Sequence, residues 1–225
     1  MTVFHNILFR GLNALYNQAS AVSKGSIPDK HDLVSFGEEQ VMFPGLETAS
    51  NNAGLLAINV RQHESFHKGI EDLRNHLDSV KRDPQAKAFD ATRLRALIDA
   101  FAPALVQHLH DEIPTLVEYS RRFPEVDVRP IEQRFSVHMR SKGYGASPVT
   151  GLTLLLPCML ACHDRDFNGG RWAAYLPGTA RTLSGVAKFA TRFAHRGVWR
   201  FAPCTFNSQL KSDMCVDWSG HGIES

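Results

Sequence analysis

The sequence has no apolar run long enough to cross a bilayer. The stretch from Leu152 to Ala161 is too short for that and holds Pro157. Neither sign of charge prevails: the net charge is +2 with histidine neutral, so nothing demands nucleic acid or an acidic membrane as partner. Cysteine is scarce and unevenly placed. Cys158, Cys162, Cys204 and Cys215 all fall in the last third, which excludes the dense disulfide framework of a small secreted domain. Met1-Thr2-Val3-Phe4-His5-Asn6 has neither a basic region nor an apolar run, so no secretory signal is expected and a cytoplasmic location is. No internal repeat and no low-complexity segment is found.

What remains is ordinary in bulk and unusual in one residue type. The 225 residues suit one domain with a substantial extension, enough to bury a real core, and 43% are hydrophobic against 21% charged. Eleven are histidine, and they recur inside helical patterns.

A first helix is expected from Thr2 to about Val22, with His5, Leu8, Leu12, Leu15 and Ala19 on one stripe. Lys24 to Pro28 breaks it. A short second helix follows, capped by Asp29 or Asp32, with His31, Val34, Glu38 and Val41 in line and an end at Pro44-Gly45. After an Asn51-Asn52-Ala53-Gly54 loop, a third helix covers about Leu55 to Lys81. Its seam is Leu56, Val60, His63, His67, Ile70, Leu73 and Leu77. A fourth, Thr92 to Ser120, carries Leu94, Ile98, Phe101, Leu105, His108, Glu112 and Leu116, kinked or opened by Pro103 and Pro114. Short connections between four amphipathic helices predict an all-α, up-down four-helix bundle over residues 1–122. Residues 123–225 read as a helical C-terminal extension packed on it, with helices near 128–140, 147–163 and 179–195.

The polar residues fall where the pattern asks for apolar ones. His5, Glu38, His63, His67, His108 and Glu112 all occupy core-facing positions. Burying one unpaired ionisable group costs several kcal/mol. A lone core histidine is usually a hydrogen-bonded structural residue, but six such groups over four seams call for a shared purpose. A bundle core lined by histidines and carboxylates is how helical proteins hold iron or manganese pairs. Imidazole suits iron, and two carboxylates can bridge two metals. His63-Glu64-Ser65-Phe66-His67 also matches HExxH, the zinc hydrolase motif, in which Glu64 would act as base. Glu64, however, falls off the apolar seam, and Glu38, His108 and Glu112 have no part in that chemistry. Cys158 and Cys162 read as buried thiols of an apolar helix. His110 points about 200° away from His108 at 100° per residue, and Asp111 is expected to face solvent.

Several of these segments together resemble the haemerythrin-like (HHE cation-binding) proteins, most closely a fungal branch. The resemblance is carried by His5-Asn6 with Arg10-Gly11-Leu12-Asn13, by Glu38-Glu39-Gln40-Val41-Met42-Phe43-Pro44, by Gln62 to His67, and by Phe101 to Pro114. In the last third, Cys162 to Phe167 and Arg196 to Cys204 are similar to that branch's extension. The resemblance implies a non-haem di-iron protein that binds iron and dioxygen. His5, Glu38, His63, His67, His108 and Glu112 would be its metal ligands. It also leaves room, as a second reading, for an iron-dependent oxidase or oxygenase acting on a small organic substrate in secondary metabolism. A metal-free bundle is the third reading. One position departs from the family pattern: the histidine expected four residues before the second-helix glutamate is Val34, which cannot ligate. That substitution implies either an open iron position or impaired metal binding.

Overall fold

The computed structural model describes residues 2–19, 38–82 and 90–142, together with the isolated positions 189, 193, 203, 205, 209 and 211. The fold is all-α: the described residues form helices and connecting turns, with no strand among them. In chain order these are α1 (Thr2–Asn17), a π-helical turn (Glu38–Met42), α2 (Phe43–Ala49), α3 (Ala57–Arg82), α4 (Ala91–Asp99), α5 (Ala102–Arg122) and α6 (Arg129–Lys142). No helix among the described residues is long and apolar enough to cross a membrane. The expected segments 29–37, 147–163 and most of 179–195 lie outside the described residues, as do His31, Val34 and all four cysteines.

The described residues fall into two compact units. One holds α1 and the start of α4. Leu12, Ala14 and Ala19 are buried there, and so is His5. Arg95 fastens the two helices: its Nε donates to the Tyr16 carbonyl at 3.2 Å and its guanidinium lies 5.7 Å from the Tyr16 ring centre. Asp90 starts α4 as an N-cap, its Oδ1 accepting from the amides of Thr92 (2.8 Å) and Arg93 (3.1 Å).

The other unit holds the π-helical turn, α2, α3, the end of α4, α5 and α6. Phe43, Leu46, Leu56, Tyr119 and Ile131 make its apolar cluster. The Tyr119 hydroxyl donates to the Leu46 carbonyl at 2.8 Å, tying α5 to α2. Gly45 lets α6 come close, since a Cβ there would meet Ile131 Cγ2 at 2.9 Å. The α2–α3 loop lies where the sequence placed it. Asn51 (φ 50°) and Gly54 (φ 78°) take left-handed conformations that asparagine and glycine tolerate best. Glu47 Oε1 then accepts from the Leu56 amide at 2.9 Å, at the approach to α3.

Three local expectations change. Pro44 does not end the second helix. It stands in the first turn of α2, where its missing N–H costs nothing, and the helix runs on to Ala49. The fourth helix is two helices, broken at Ala100-Phe101, because Pro103 likewise opens a new helix rather than kinking an old one. Pro114 is the proline that α5 carries in its interior, and it is exposed. The buried stripe runs from Leu56, just before α3, through Asn59, His63, Phe66, Ile70 and Leu73 along it, so Asn59 and Phe66 take places the sequence pattern gave to Val60 and His67.

Candidate metal centre

α3 and α5 run antiparallel, and their buried stripes meet. His63 stands across from His108, with Nε2 atoms 3.0 Å apart. Phe66 packs against both, with ring centres 5.6 Å from His63 and 5.4 Å from His108. Phe43 covers His63 from the other side, at 5.7 Å between ring centres. His63 and Glu112 are fully buried, and Glu38 and His108 are each 2% exposed.

The π-helical turn brings two consecutive glutamates to one imidazole. Glu39 Oε1 lies 2.7 Å from His63 Nδ1, while Glu38 Oε2 lies 3.5 Å from His63 Nε2. Helical segments of this wide kind are often found at functional sites. A carboxylate can only accept here, so His63 Nδ1 carries the proton and Nε2 presents a lone pair. His108 is fixed in the same sense. Gln62 Nε2 donates to Asp111 Oδ2 at 2.8 Å, which turns Gln62 Oε1 towards His108 Nδ1, 3.1 Å away. His108 Nδ1 therefore donates, and its Nε2 also presents a lone pair.

Three acceptors thus converge: Nε2 of His63, Nε2 of His108 and Oε2 of Glu38. Ligand atoms of Glu38, His63 and His108 all lie within 4.8 Å of one another, and a second group, Glu39, His63 and His67, meets the same limit. Facing lone pairs at 3.0 Å repel unless a cation or proton stands between them. The spacing suits a metal: two nitrogens at about 2.1 Å from one ion and about 90° apart are about 3 Å from each other. Burial opposes the proton, pushing the His63 pKa below 6.5 even though the Glu39 carboxylate pulls it up. Burial also holds the Glu38 pKa well above 4.5, and the nearby charge of Glu112 adds to that. His67, one turn on from His63, stacks its ring at 6.1 Å and 19°. Its Nε2 is buried with no hydrogen-bond partner among the described residues.

Of the six residues expected from sequence, five lie in one unit: Glu38, His63, His67, His108 and Glu112. Glu38, His63 and His108 are brought directly together, His67 joins through His63, and Glu112 is buried within reach of Glu38's charge. His5, 3% exposed on α1, belongs to the other unit. Glu64 of the HExxH match is exposed, on a different face from His63. The supporting residues Glu39, Gln62 and Asp111 were not anticipated. Asp111, expected to face solvent, is half-buried and accepts from both Gln62 and Gln107, each at 2.8 Å. Its spacing could have signalled this: Gln107 and Asp111 are one helical turn apart, the arrangement in which an amide and a carboxylate pair. Near the Leu56 end of α3 a cleft of about 360 Å³ is lined by Leu55, Leu56, Thr115, Tyr119 and Phe123 among others. None of the six expected residues lines it.

Residues 1–118, just over half of the chain, match the Hemerythrin HHE cation binding domain family. The "Dimeric xanthone biosynthesis cluster protein R11" of Cryptosporiopsis sp. (strain 8999) is a relative, 28% identical over 213 residues that cover 89% of this chain and 75% of that protein. No solved structure matches.

Proposed function

The chain belongs to the Hemerythrin HHE cation-binding family, and from that premise we propose that it is a non-haem di-iron protein that binds dioxygen. Glu38, His63, His67, His108 and Glu112 hold the metal. The observation that carries this reading is the pair of imidazoles whose Nε2 lone pairs face each other at 3.0 Å, each fixed from behind through its Nδ1. Imidazole nitrogen suits iron, and the two carboxylates supply the charge and bridging capacity that a metal pair needs. Iron bound there supplies a redox couple and Lewis acidity. The protein supplies the rest. Glu39 and Gln62 hold the rings in the ligating tautomer, and Phe43 and Phe66 close the site against bulk water.

Metal analysis of protein purified from iron-replete cells, with an optical spectrum in air, tests the reading. Stoichiometric iron and a charge-transfer band are expected; a folded chain without iron would point to a metal-free bundle. His67→Ala combined with Glu112→Ala should abolish uptake, and full iron in that variant would place the site elsewhere.

A second reading has its own support. The xanthone-cluster relative is named for a biosynthesis cluster, and the cleft of about 360 Å³ is lined by Leu56, about two helical turns before His63. Both favour an iron-dependent oxidase or oxygenase acting on a small organic substrate. Oxygen electrode traces separate the two. Spectral changes that reverse on degassing, without net oxygen consumption, fit a carrier; steady consumption with an added organic substrate fits the enzyme.

A further inference from the structure

We propose that the Asn59 carboxamide is a further binding group of this centre, placed to donate a hydrogen bond to a small anionic ligand taken up beside the metal. The inference rests on the metal-centre reading above and names a residue that neither the helical pattern nor the ligand motifs single out.

Asn59 is 1% exposed, and neither its Nδ2 nor its Oδ1 has a hydrogen-bond partner among the described residues. A buried amide left unsatisfied at both ends is costly, and such groups in folded proteins usually mark a place where a water, ion or ligand binds. Its position specifies where that ligand would lie. Asn59 is in the buried stripe of α3, one turn before His63 and within one turn of Leu56. Leu56 clusters with Tyr119, and His63 meets His108. On the antiparallel α5, the level between those two contacts is that of Glu112, which is fully buried. Asn59 therefore stands between the apolar cluster and the ligand layer, where leucine would extend the cluster without any polar cost.

The chemistry of the neighbours selects the ligand class. Glu38, His63 and His108 present lone pairs, which are suited to a cation. The Asn59 NH2 group offers only donors and cannot ligate a metal. It complements an anion held in the same space. Asn59 does not line the cleft of about 360 Å³. Its burial favours a small anion, and azide is a convenient probe.

The test uses the iron-loaded full chain, with azide binding followed by absorption and iron content measured on the same samples. Asn59→Leu removes both polar atoms at similar volume, and Asn59→Asp keeps the shape but loses the donors. Both variants should retain wild-type iron content and bind azide at least tenfold more weakly. The metal-free Asn59→Leu protein should melt no lower than wild type. Azide affinity within twofold of wild type in a folded variant would overturn the proposal, and so would an iron-loaded wild-type protein that does not bind azide. If Asn59→Leu does not fold, the Asn59→Asp measurement decides alone. A wild-type chain that takes up no iron overturns the metal-centre reading and this proposal with it, whereas unchanged azide binding by iron-loaded variants overturns only the role of Asn59.

Discussion

His63 uses both ring nitrogens, one to be held and one to offer. Glu39 accepts a hydrogen bond from Nδ1 at 2.7 Å, and Nε2 faces Glu38 and His108. Supporting carboxylates of this kind raise ligand basicity and fix the ring, and their loss commonly costs about 10–100-fold in metal affinity. Glu39→Ala should therefore weaken iron binding by that order in a chelator competition, and Gln62→Ala should act in the same direction through His108. Unchanged affinity in both would mean that the tautomers are set by something else. Without metal, Glu38 and His63 give pH responses of opposite sign. Burial and the charge of Glu112 hold the Glu38 pKa well above 4.5, so the folded chain binds that proton more tightly than the unfolded chain. Its contribution is full below pH 4.5 and is lost as pH rises through the folded value. His63 has the opposite sign: burial lowers its pKa, so its contribution is present above pH 6.5 and is lost as pH falls towards the depressed value. Replacing Glu38 by glutamine removes the first contribution alone. The metal-free Glu38→Gln protein should be more stable than wild type at neutral pH by ~1 kcal/mol, or about 2–4 °C in Tm. Calorimetry should find that margin shrinking as pH is lowered towards 4.5. A margin independent of pH would contradict the burial account.

At the scale of elements, the centre depends on how closely α3 approaches the start of α5. Gly69 makes that approach possible. A Cβ there would collide with the Cβ of Phe101 and stand 3.0 and 3.1 Å from its ring carbons. Phe101 is 2% exposed and held at the junction of α4 and α5, so its first side-chain atom has nowhere to go. Gly69→Ala gains about 1 kcal/mol of helix propensity but pays an overpacking cost of about 1–3 kcal/mol or more. Net destabilisation is expected in urea unfolding, together with weaker iron binding as the helices part; a stabilised variant would show that the helices give easily. Gly69 also shows what the sequence could and could not disclose. The helix over 57–82 was legible because its apolar spacing is long and regular, and so was the burial of His63 on α3 and of His108 and Glu112 on α5, each of which interrupts its own helix's apolar spacing with a group that is costly to bury; His67 is only half-buried. Pro44 was misread as a terminator and Pro103 as a kink inside one long helix, because a proline that opens a helix looks like one that ends or bends it until the neighbouring turn is known. Asn59 went unnoticed for a different reason. Val60 beside it satisfies a heptad spacing equally well, and only the packing against α5 settles which of the two is fully buried.

For the molecule as a whole, the centre opposes folding when metal is absent. The fully buried His63 and Glu112 and the nearly buried Glu38 and His108 share one region of the second unit, where each must give up water for neighbours that are mostly acceptors. An unfolded chain cannot assemble these ligands, so a metal that binds only the folded state stabilises it by RT ln(1 + [M]/Kd), about 4 kcal/mol at a thousandfold excess over Kd. For a chain of 225 residues this is a rise in Tm of about 10 °C. Removing iron with a chelator should therefore lower the melting temperature by that amount, and adding ferrous iron under anaerobic conditions should restore it. Hydrogen exchange locates the effect. Amides of α3 around His63 and of α5 around His108 should slow on metal binding by up to the same free energy. Metal that bound only adventitious surface histidines such as the exposed His110 would leave those buried amides unmoved while still registering in a metal analysis. Protection that rises at His63 and His108 in wild type, and stays at the metal-free level in His67→Ala with Glu112→Ala, would link the iron to the convergence of α3, α5 and the π-helical turn.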